Sequence, residues 1–428
     1  MHEYELSRLP TGERLITEEV PSVRSVSIGF WIGTGSRDET DARAGVSHFI
    51  EHLLFKGSGR HSAQEIAEIF DGLGGELNAA TSRETTLVYA RVPDDRLEPA
   101  LDVMVGMVYD PSFDDVDAER EVVLEEIAMV DDNPQDLVHD VAAEAVFGGH
   151  PLGRPVIGRA EVISSVTRRS LAAYHRTAYA HDNIVVAAAG NVAHDRVLEL
   201  LAARIPKVEA PARRVRKAFG RAPAPGYRFQ RKATEQYHVC LGAPGISRRD
   251  ERRFAASLLD SILGGSASSR LFQEIREKRG MAYSVYSFAS QYSDSGQIGL
   301  YLGTREENLV ECLEIVAREL GDVAAGNVRP GELERAKENL KGRLLLSMES
   351  TSNRMSRLGK SLITETELLT LEQIVEHVDA VSAEDVAAVA AELLRLDRLS
   401  AAGIGPSEAR FRAAIQRVNP ALVGRKAA

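Results

Sequence analysis

The chain repeats itself. SVSIGFWIGTGSRDE, Ser25 to Glu39, returns as HVCLGAPGISRRDE, His238 to Glu251. In each copy an apolar, strand-like run passes through glycine into S-R-(R)-D-E. A helix-like segment ending in glycine follows both times, AGVSHFIEHLLFKG and then FAASLLDSILGG. Further on, DAEREVVLEEIAM, from Asp117, matches ELERAKENLKGRL, from Glu332, in place. A repeat this long is a whole domain and not the short period of a solenoid. It commits the 428 residues to two similar domains.

Between the copies, APARRVRKAFGRAPAPG is basic, proline-rich and without helical period, as a surface linker is. The expected domains are residues 1–210 and 228–428, joined by 211–227. Strands are expected at Ser25–Ile32, Thr85–Val92 and Asn183–Gly190. Helices are expected at Ala63–Leu73, Leu97–Tyr109, Asp117–Val130 and Val166–Tyr174, with Pro111 and Pro134 as stop signals just beyond two of them. Arg253–Leu263 and Pro330–Met348 are the clearest helices of the second half. The fold class is α+β: a mixed, mainly antiparallel sheet packed against helices, made twice, the two copies facing each other as a clamshell. Trp31 reads as core.

The first copy carries an anomaly. SHFIEHLLFKG places two histidines and a glutamate in an apolar stretch, where such groups are costly to bury without partners. On a helix, His48, Glu51 and His52 stand at i, i+3 and i+4 and share a face. Two imidazoles so spaced can ligate one zinc, and a glutamate beside them can serve the water that zinc activates. The order H-x-x-E-H is a peptidase pattern. The second copy has Leu258, Leu259, Asp260, Ser261 and Ile262 at the same place. The helix therefore needs neither histidine to fold, and the polar trio is a site placed on a scaffold. A catalytic zinc takes a third protein ligand. EREVVLEEIAMVDD offers Glu119 and Glu126, seven apart and so on one helix face, with Glu125 as a competitor. Lys341 stands in the second copy where the first has Glu126.

Composition narrows the partners. A formal net charge of -11 makes a nucleic-acid backbone an unsuitable partner. No run approaches the roughly 20 apolar residues of a membrane span. The N-terminus lacks a basic start with an apolar run after it, so no signal peptide is expected. Cys240 and Cys312 alone cannot build a disulfide framework. A soluble cytoplasmic protein with reduced thiols is the expectation.

With these residues in hand, the chain resembles the insulinase/pitrilysin family of zinc peptidases, the inverzincins, and looks most similar to bacterial relatives of mitochondrial processing peptidase. The resemblance spans nearly the whole chain. It rests on HFIEH, on EREVVLEEI with Glu126 lying 74 positions after His52, on GGELNAATSRETT, on HPLGRPVIG and on SSRLFQEIREKRGMAYSV. It implies one zinc per chain, with His48, His52 and Glu126 as ligands and Glu51 as general base. It implies Glu119 as a support to the ligands from outside. Asn78 and Ala79 fall where the substrate backbone adds to a sheet edge. Arg276 and Tyr283, seven apart, match an Arg and a Tyr that meet the substrate carbonyl. The Gly264-Gly265-Ser266 turn resembles the glycine-rich loop of the non-catalytic processing-peptidase subunit.

The implied activity is zinc-dependent endopeptidase cleavage of unfolded peptides, basic ones among them, in an enclosed chamber. Relatives of this length pair, so a homodimer, or a heterodimer with a related chain, is implied too. The competing reading is a scaffold or peptide-binding subunit of the same fold without chemistry. His61, His139, His150, His175, His181 and His238 have no helical partner at ligand spacing and read as structural or surface residues.

Overall fold

The structure is a computed structural model that describes residues 4–207, 216 and 218–423. Its strands form two sheets. The first contains β1 (Glu5–Arg8), β2 (Arg14–Glu19), β3 (Ser25–Ile32), β4 (Glu76–Thr81), β5 (Thr86–Pro93) and β6 (Ile184–Gly190), in the order β1-β2-β6-β3-β5-β4. The second contains β7 (Tyr227–Arg231), β8 (Tyr237–Gly245), β9 (Ala282–Gln291), β10 (Gly296–Thr304) and β11 (Ser400–Gly405), in the order β7-β11-β8-β10-β9. Leaving out β1, the two orders are the same. Each sheet has one parallel pair, β2 with β6 and β11 with β7, among antiparallel ones. The mixed, mainly antiparallel sheet made twice is thus present, packed against helices.

Each sheet is covered on both faces. On one face of the first, Val26, Ile28 and Phe30 of β3 join Phe49, Ile50 and Leu53 of helix Val46–Leu54 in a core. The other face of β3 carries Ser27, Gly29 and Trp31 and meets helix Thr351–Ile363, from the second half of the sequence. Ser27 Oγ lies 2.8 Å from Thr351 Oγ1, a Cβ on Gly29 would strike Met355, and Trp31 lies against Gly359. The match is metric. Two residues of strand advance about 6.6 Å, and four of helix advance about 6.0 Å. In exchange, helix Pro134–Phe147, from the first half, covers the second sheet with Leu137, Val138 and Ala142 against Cys240, Tyr301, Ala402 and Ile404.

Two compact units result. One holds the chain up to Ala128, the stretch from Pro155 into the linker, and Leu345–Thr370; the other holds Met129–Arg154, Ala218–Leu344 and Leu371 onward. The division expected at 1–210 and 228–428 therefore differs from the units by two exchanged helices. The expected linker, 211–227, lies partly outside the described residues; its Arg216 pairs with both carboxylate oxygens of Asp38 at 2.7 and 2.8 Å. Pro134 does follow helix Val116–Asp132, but it also opens the next helix, which the stop-signal reading missed. The helix expected at Val166–Tyr174 runs instead over Arg168–Ala178, because Thr167 caps it. Trp31 is buried. His139, His175, His181 and His238 each hydrogen-bond a neighbour, and both cysteines are free and buried. Among the described residues, no helix is long and apolar enough to cross a membrane.

Candidate metal centre

Helix Val46–Leu54, the histidine helix, forms because Val46, Phe49, Ile50, Leu53 and Leu54 make one apolar face and bury it in the core. His48, Glu51 and His52 occupy the opposite, half-buried face. The second element is helix Val116–Asp132, the glutamate helix. It buries Val116, Glu119 and Val123 and is acidic on its outer side. The seven-residue spacing turns Glu119 and Glu126 the same way, towards the histidines.

Three donor atoms converge there. His48 Nε2 and His52 Nε2 are 3.3 Å apart. Glu126 Oε2 is 3.7 Å from the first and 3.5 Å from the second. Tetrahedral ligands about 2.1 Å from a zinc ion lie about 3.4 Å from one another. The three separations are therefore those of one face of such a tetrahedron. Among the described residues, this is the one group of three His, Cys, Asp or Glu donors within 4.8 Å of one another. Glu125 is exposed and outside the group.

The surroundings suit a cation. His52 Nδ1 is 2.8 Å from Glu119 Oε1, which makes Nδ1 the donor and leaves the Nε2 lone pair facing the other two ligands. Glu119 is buried, and its second oxygen takes Lys56 Nζ at 2.7 Å. Burial, with His52 alongside, pushes the His48 imidazole down to about 4, so it is neutral near pH 7, the form that ligates. Burial also raises the Glu51 carboxyl above its ordinary range, opposed by hydrogen bonds from Thr81 and by His52. Glu51 Oε2 is buried without a hydrogen-bond partner. An unmatched buried oxygen beside three convergent donors is what a site built for a metal and a water presents.

Thr81 ends β4, the outer strand of the first sheet, whose one partner among the described strands is β5. Asn78 is exposed on β4, with Oδ1 accepting from the Ala79 N–H at 2.8 Å, and Ala79 packs against the core. Both belong to the unit with the three donors. Arg276 and Tyr283 belong to the other unit. There the Arg276 guanidinium stacks on the Tyr283 ring at 4.6 Å and on the Phe272 ring at 4.7 Å, and Tyr283 is 76% exposed on β9, the outer strand of its sheet. In that unit, helix Arg253–Leu263 buries Leu258, Leu259 and Ile262, and Lys341 pairs with Glu338 and Asp379 at 2.7 and 2.8 Å.

Sequence reasoning passed over three groups. Lys56 and Thr81 both lie within motifs it quoted, in F-K-G and in N-A-A-T, and their contacts could have been asked for there. Tyr179, whose buried hydroxyl lacks a partner and feels the Glu51 charge, carries no sequence signal at all.

Comparison with known proteins gives the chain's family. Residues 14–160 match the sequence model of the insulinase family, peptidase family M16, and residues 165–340 match that of the peptidase M16 inactive domain. The half carrying the three donors is the one matched by the first. The chain is 43% identical to an uncharacterized zinc protease of Streptomyces coelicolor, over 93% of this chain and 88% of the relative. It is 42% identical to one from Bacillus subtilis, over 90% and 94%. Among solved structures, a peptidase M16 inactive domain from Pseudomonas fluorescens superposes with a TM-score of 0.87 at 25% identity, covering 95% of this chain and 99% of that one. A protease from Helicobacter pylori shares the fold with a TM-score of 0.88 at 22% identity, over 94% and 99%.

Proposed function

Since the chain belongs to the insulinase family of peptidases, M16, we propose that it is a zinc-dependent endopeptidase that cuts unfolded peptides. The observation that carries the reading is the triangle of His48 Nε2, His52 Nε2 and Glu126 Oε2, with sides of 3.3 to 3.7 Å. One zinc per chain would be held there by His48, His52 and Glu126 and would supply Lewis acidity, lowering the pKa of water towards neutrality.

The remaining work falls to the chain. Glu51 takes the proton of the attacking water on Oε2 and passes it to the leaving amine nitrogen. Its raised pKa suits a group that must both accept and donate near neutrality. Glu119 holds the His52 ring through Nδ1 and so keeps its other nitrogen unprotonated. The free side of β4 at Asn78 and Ala79 receives the substrate backbone as an added strand, which demands an extended chain and excludes a folded one. Thr81 joins that strand to Glu51, so peptide registration and the base are set together. The stacked pair Arg276 and Tyr283 offers a guanidinium and a phenol as donors to the developing oxyanion. Exposed Glu125, next to Glu126 in the chain, supports a preference for basic residues near the cut. A pair of chains, and a cytoplasmic setting that keeps the two thiols reduced, belong to the same proposal.

The test is digestion of a peptide mixture with and without a chelator, the cut sites read by mass spectrometry, beside a metal assay. Internal cuts that vanish with chelator and near one zinc per chain are expected. No cuts and no zinc would make it a silent peptide-binding subunit. Glu51→Gln should keep zinc while cleavage falls about 10³-fold; unchanged cleavage would remove Glu51 as the base.

A further inference from the structure

The last residue of the repeated S-R-(R)-D-E motif has so far no role, and although it is Glu in both copies its surroundings differ. Glu39 is 5% exposed. One carboxylate oxygen accepts from the Gly45 N–H at 2.8 Å and the other from the Ser47 N–H at 2.7 Å. Those N–H groups open the histidine helix, where helices leave donors unsatisfied and favour negative charge. The capping position itself cannot help. Gly45 has φ +97°, and its backbone packs on Gly158 so tightly that a Cβ on Gly158 would stand 2.4 Å from the Gly45 Cα. A side-chain cap at residue 45 is thereby excluded, and Glu39 supplies the missing oxygens from six residues upstream. Ser47 is held sideways as well, its Oγ 3.1 Å from the Tyr174 hydroxyl.

We infer that Glu39 is a positioning residue, its buried carboxylate fixing the start of the histidine helix and thereby the spacing of the three donor atoms. His48 directly follows the second N–H that Glu39 holds, and His52 lies one turn beyond. A site whose supporting groups let it drift by about 1 Å no longer fits its ion. The second copy argues that this is not a generic need of the fold. There Glu251 is exposed, helix Arg253–Leu263 begins without a side-chain cap, and Asp250 accepts from the Arg252 N–H instead. The buried carboxylate occurs in the copy that has donors to align.

The inference rests on the metal-centre reading and is tested without peptidase activity, by chelator competition for zinc on purified protein, with circular dichroism and melting of the metal-free form alongside. Glu39→Gln keeps the shape, loses the charge and sets an amide N–H against a backbone N–H. Its zinc affinity should fall 10-fold or more, with the spectrum retained. A purely structural cap would lower the melting point and leave the affinity of the folded protein unchanged; that result overturns the inference. Glu251→Gln should leave both readouts as they are, and an equal loss there would also overturn it. Should Glu39→Gln not fold, Glu39→Asp decides. It retains the charge but reaches one N–H instead of two, so intermediate affinity is expected, and wild-type affinity ends the proposal. Wild-type protein that takes up no zinc removes the metal centre itself, a failure read from that arm alone.

Discussion

The histidine helix and helix Arg253–Leu263 occupy the same place in two copies of one design, and both bury an apolar face. The outer face of the first bears His48, Glu51 and His52. In the second, Leu258, Leu259, Ile262 and Leu263 are buried as Phe49, Ile50, Leu53 and Leu54 are in the first, which sets Ser257, Asp260 and Ser261 at the places of His48, Glu51 and His52, one residue away from the alignment read off the sequence. Below each helix lies a buried acid. In the first unit it is Glu119, paired with His52 and Lys56. In the second they are Glu332 and Glu319, gathered round Arg270 and Arg329. The scaffold thus tolerates two kinds of buried polar cluster. One has three donors with a side open to a guest, and the other is closed by its own arginines. Chemistry and fold are separable here, and substitutions can test how cleanly.

The largest effect should come from writing the second helix into the first. His48→Ser with His52→Ser removes two of three donors and replaces them with the serines, Ser257 and Ser261, that the counterpart carries. Cleavage and zinc uptake should disappear, while circular dichroism stays the same and melting of the metal-free protein moves by a few degrees at most. A protein that no longer folds would mean the histidines also serve packing, and the comparison would break. Next comes the second unit's cluster. Arg270 is 1% exposed, with Nε and Nη2 on Glu332 at 2.8 and 2.6 Å. Arg270→Leu strands the buried Glu332 carboxylate and should cost about 3–5 kcal/mol in a denaturant titration, without altering the zinc affinity of protein that remains folded.

The site was more legible in the sequence than the assembly of the units was. Helical spacing places His48, Glu51 and His52 on one face with no further information, and seven-residue spacing does the same for Glu119 and Glu126. Both are properties of a single helix. The choice of Glu126 over Glu125 needed a second helix, which spacing alone cannot orient. Glu39 was unreadable for the same reason, since it acts through backbone contacts made by the fold. The exchanged helices were hidden because Thr351–Ile363 is an amphipathic helix with nothing in its sequence to say which sheet it covers. The clue lay on the other partner. Ser27, Gly29 and Trp31 alternate with Val26, Ile28 and Phe30 along β3, so both faces were destined for burial, one of them at close range.

That close range gives a prediction of intermediate size. A Cβ on Gly359 would lie 2.0 Å from Trp31 Nε1, and the indole is 6% exposed with no room to turn. Gly359→Ala should destabilise by about 1–3 kcal/mol, the cost of overpacking. Gly342, inside helix Glu332–Ser347, has nothing within 4 Å of its would-be Cβ. Gly342→Ala should therefore stabilise by about 0.5–1 kcal/mol, since glycine is a poor helix residue. Opposite signs for one substitution in two helices, read by chemical denaturation, would establish that Thr351–Ile363 is held by contact and not by helix propensity. Equal signs would undo that.

The smallest effect expected is at Glu125, and it bears on the comparison directly. The glutamate helix has adjacent acids, Glu125 and Glu126, and the burial of Glu332 and Ala336 where it buries Glu119 and Val123 sets Asn339, not the expected Lys341, at the place of Glu126 in the second copy. Glu126→Gln removes a donor 3.5 Å from His52 Nε2, so zinc affinity should fall beyond the 10–100-fold typical of losing an outer support. Glu125 is one residue away, but one residue is about 100° around a helix, and its side chain is exposed. Its charge acts on the site through water, where ions at about 0.1 M screen over roughly 10 Å. Glu125→Gln should change zinc affinity less than about twofold at that ionic strength and somewhat more in dilute buffer. A loss from Glu125→Gln equal to that from Glu126→Gln, insensitive to salt, would mean the glutamate helix turns by one residue when it grips the ion, and the donor triangle would have to be redrawn around Glu125.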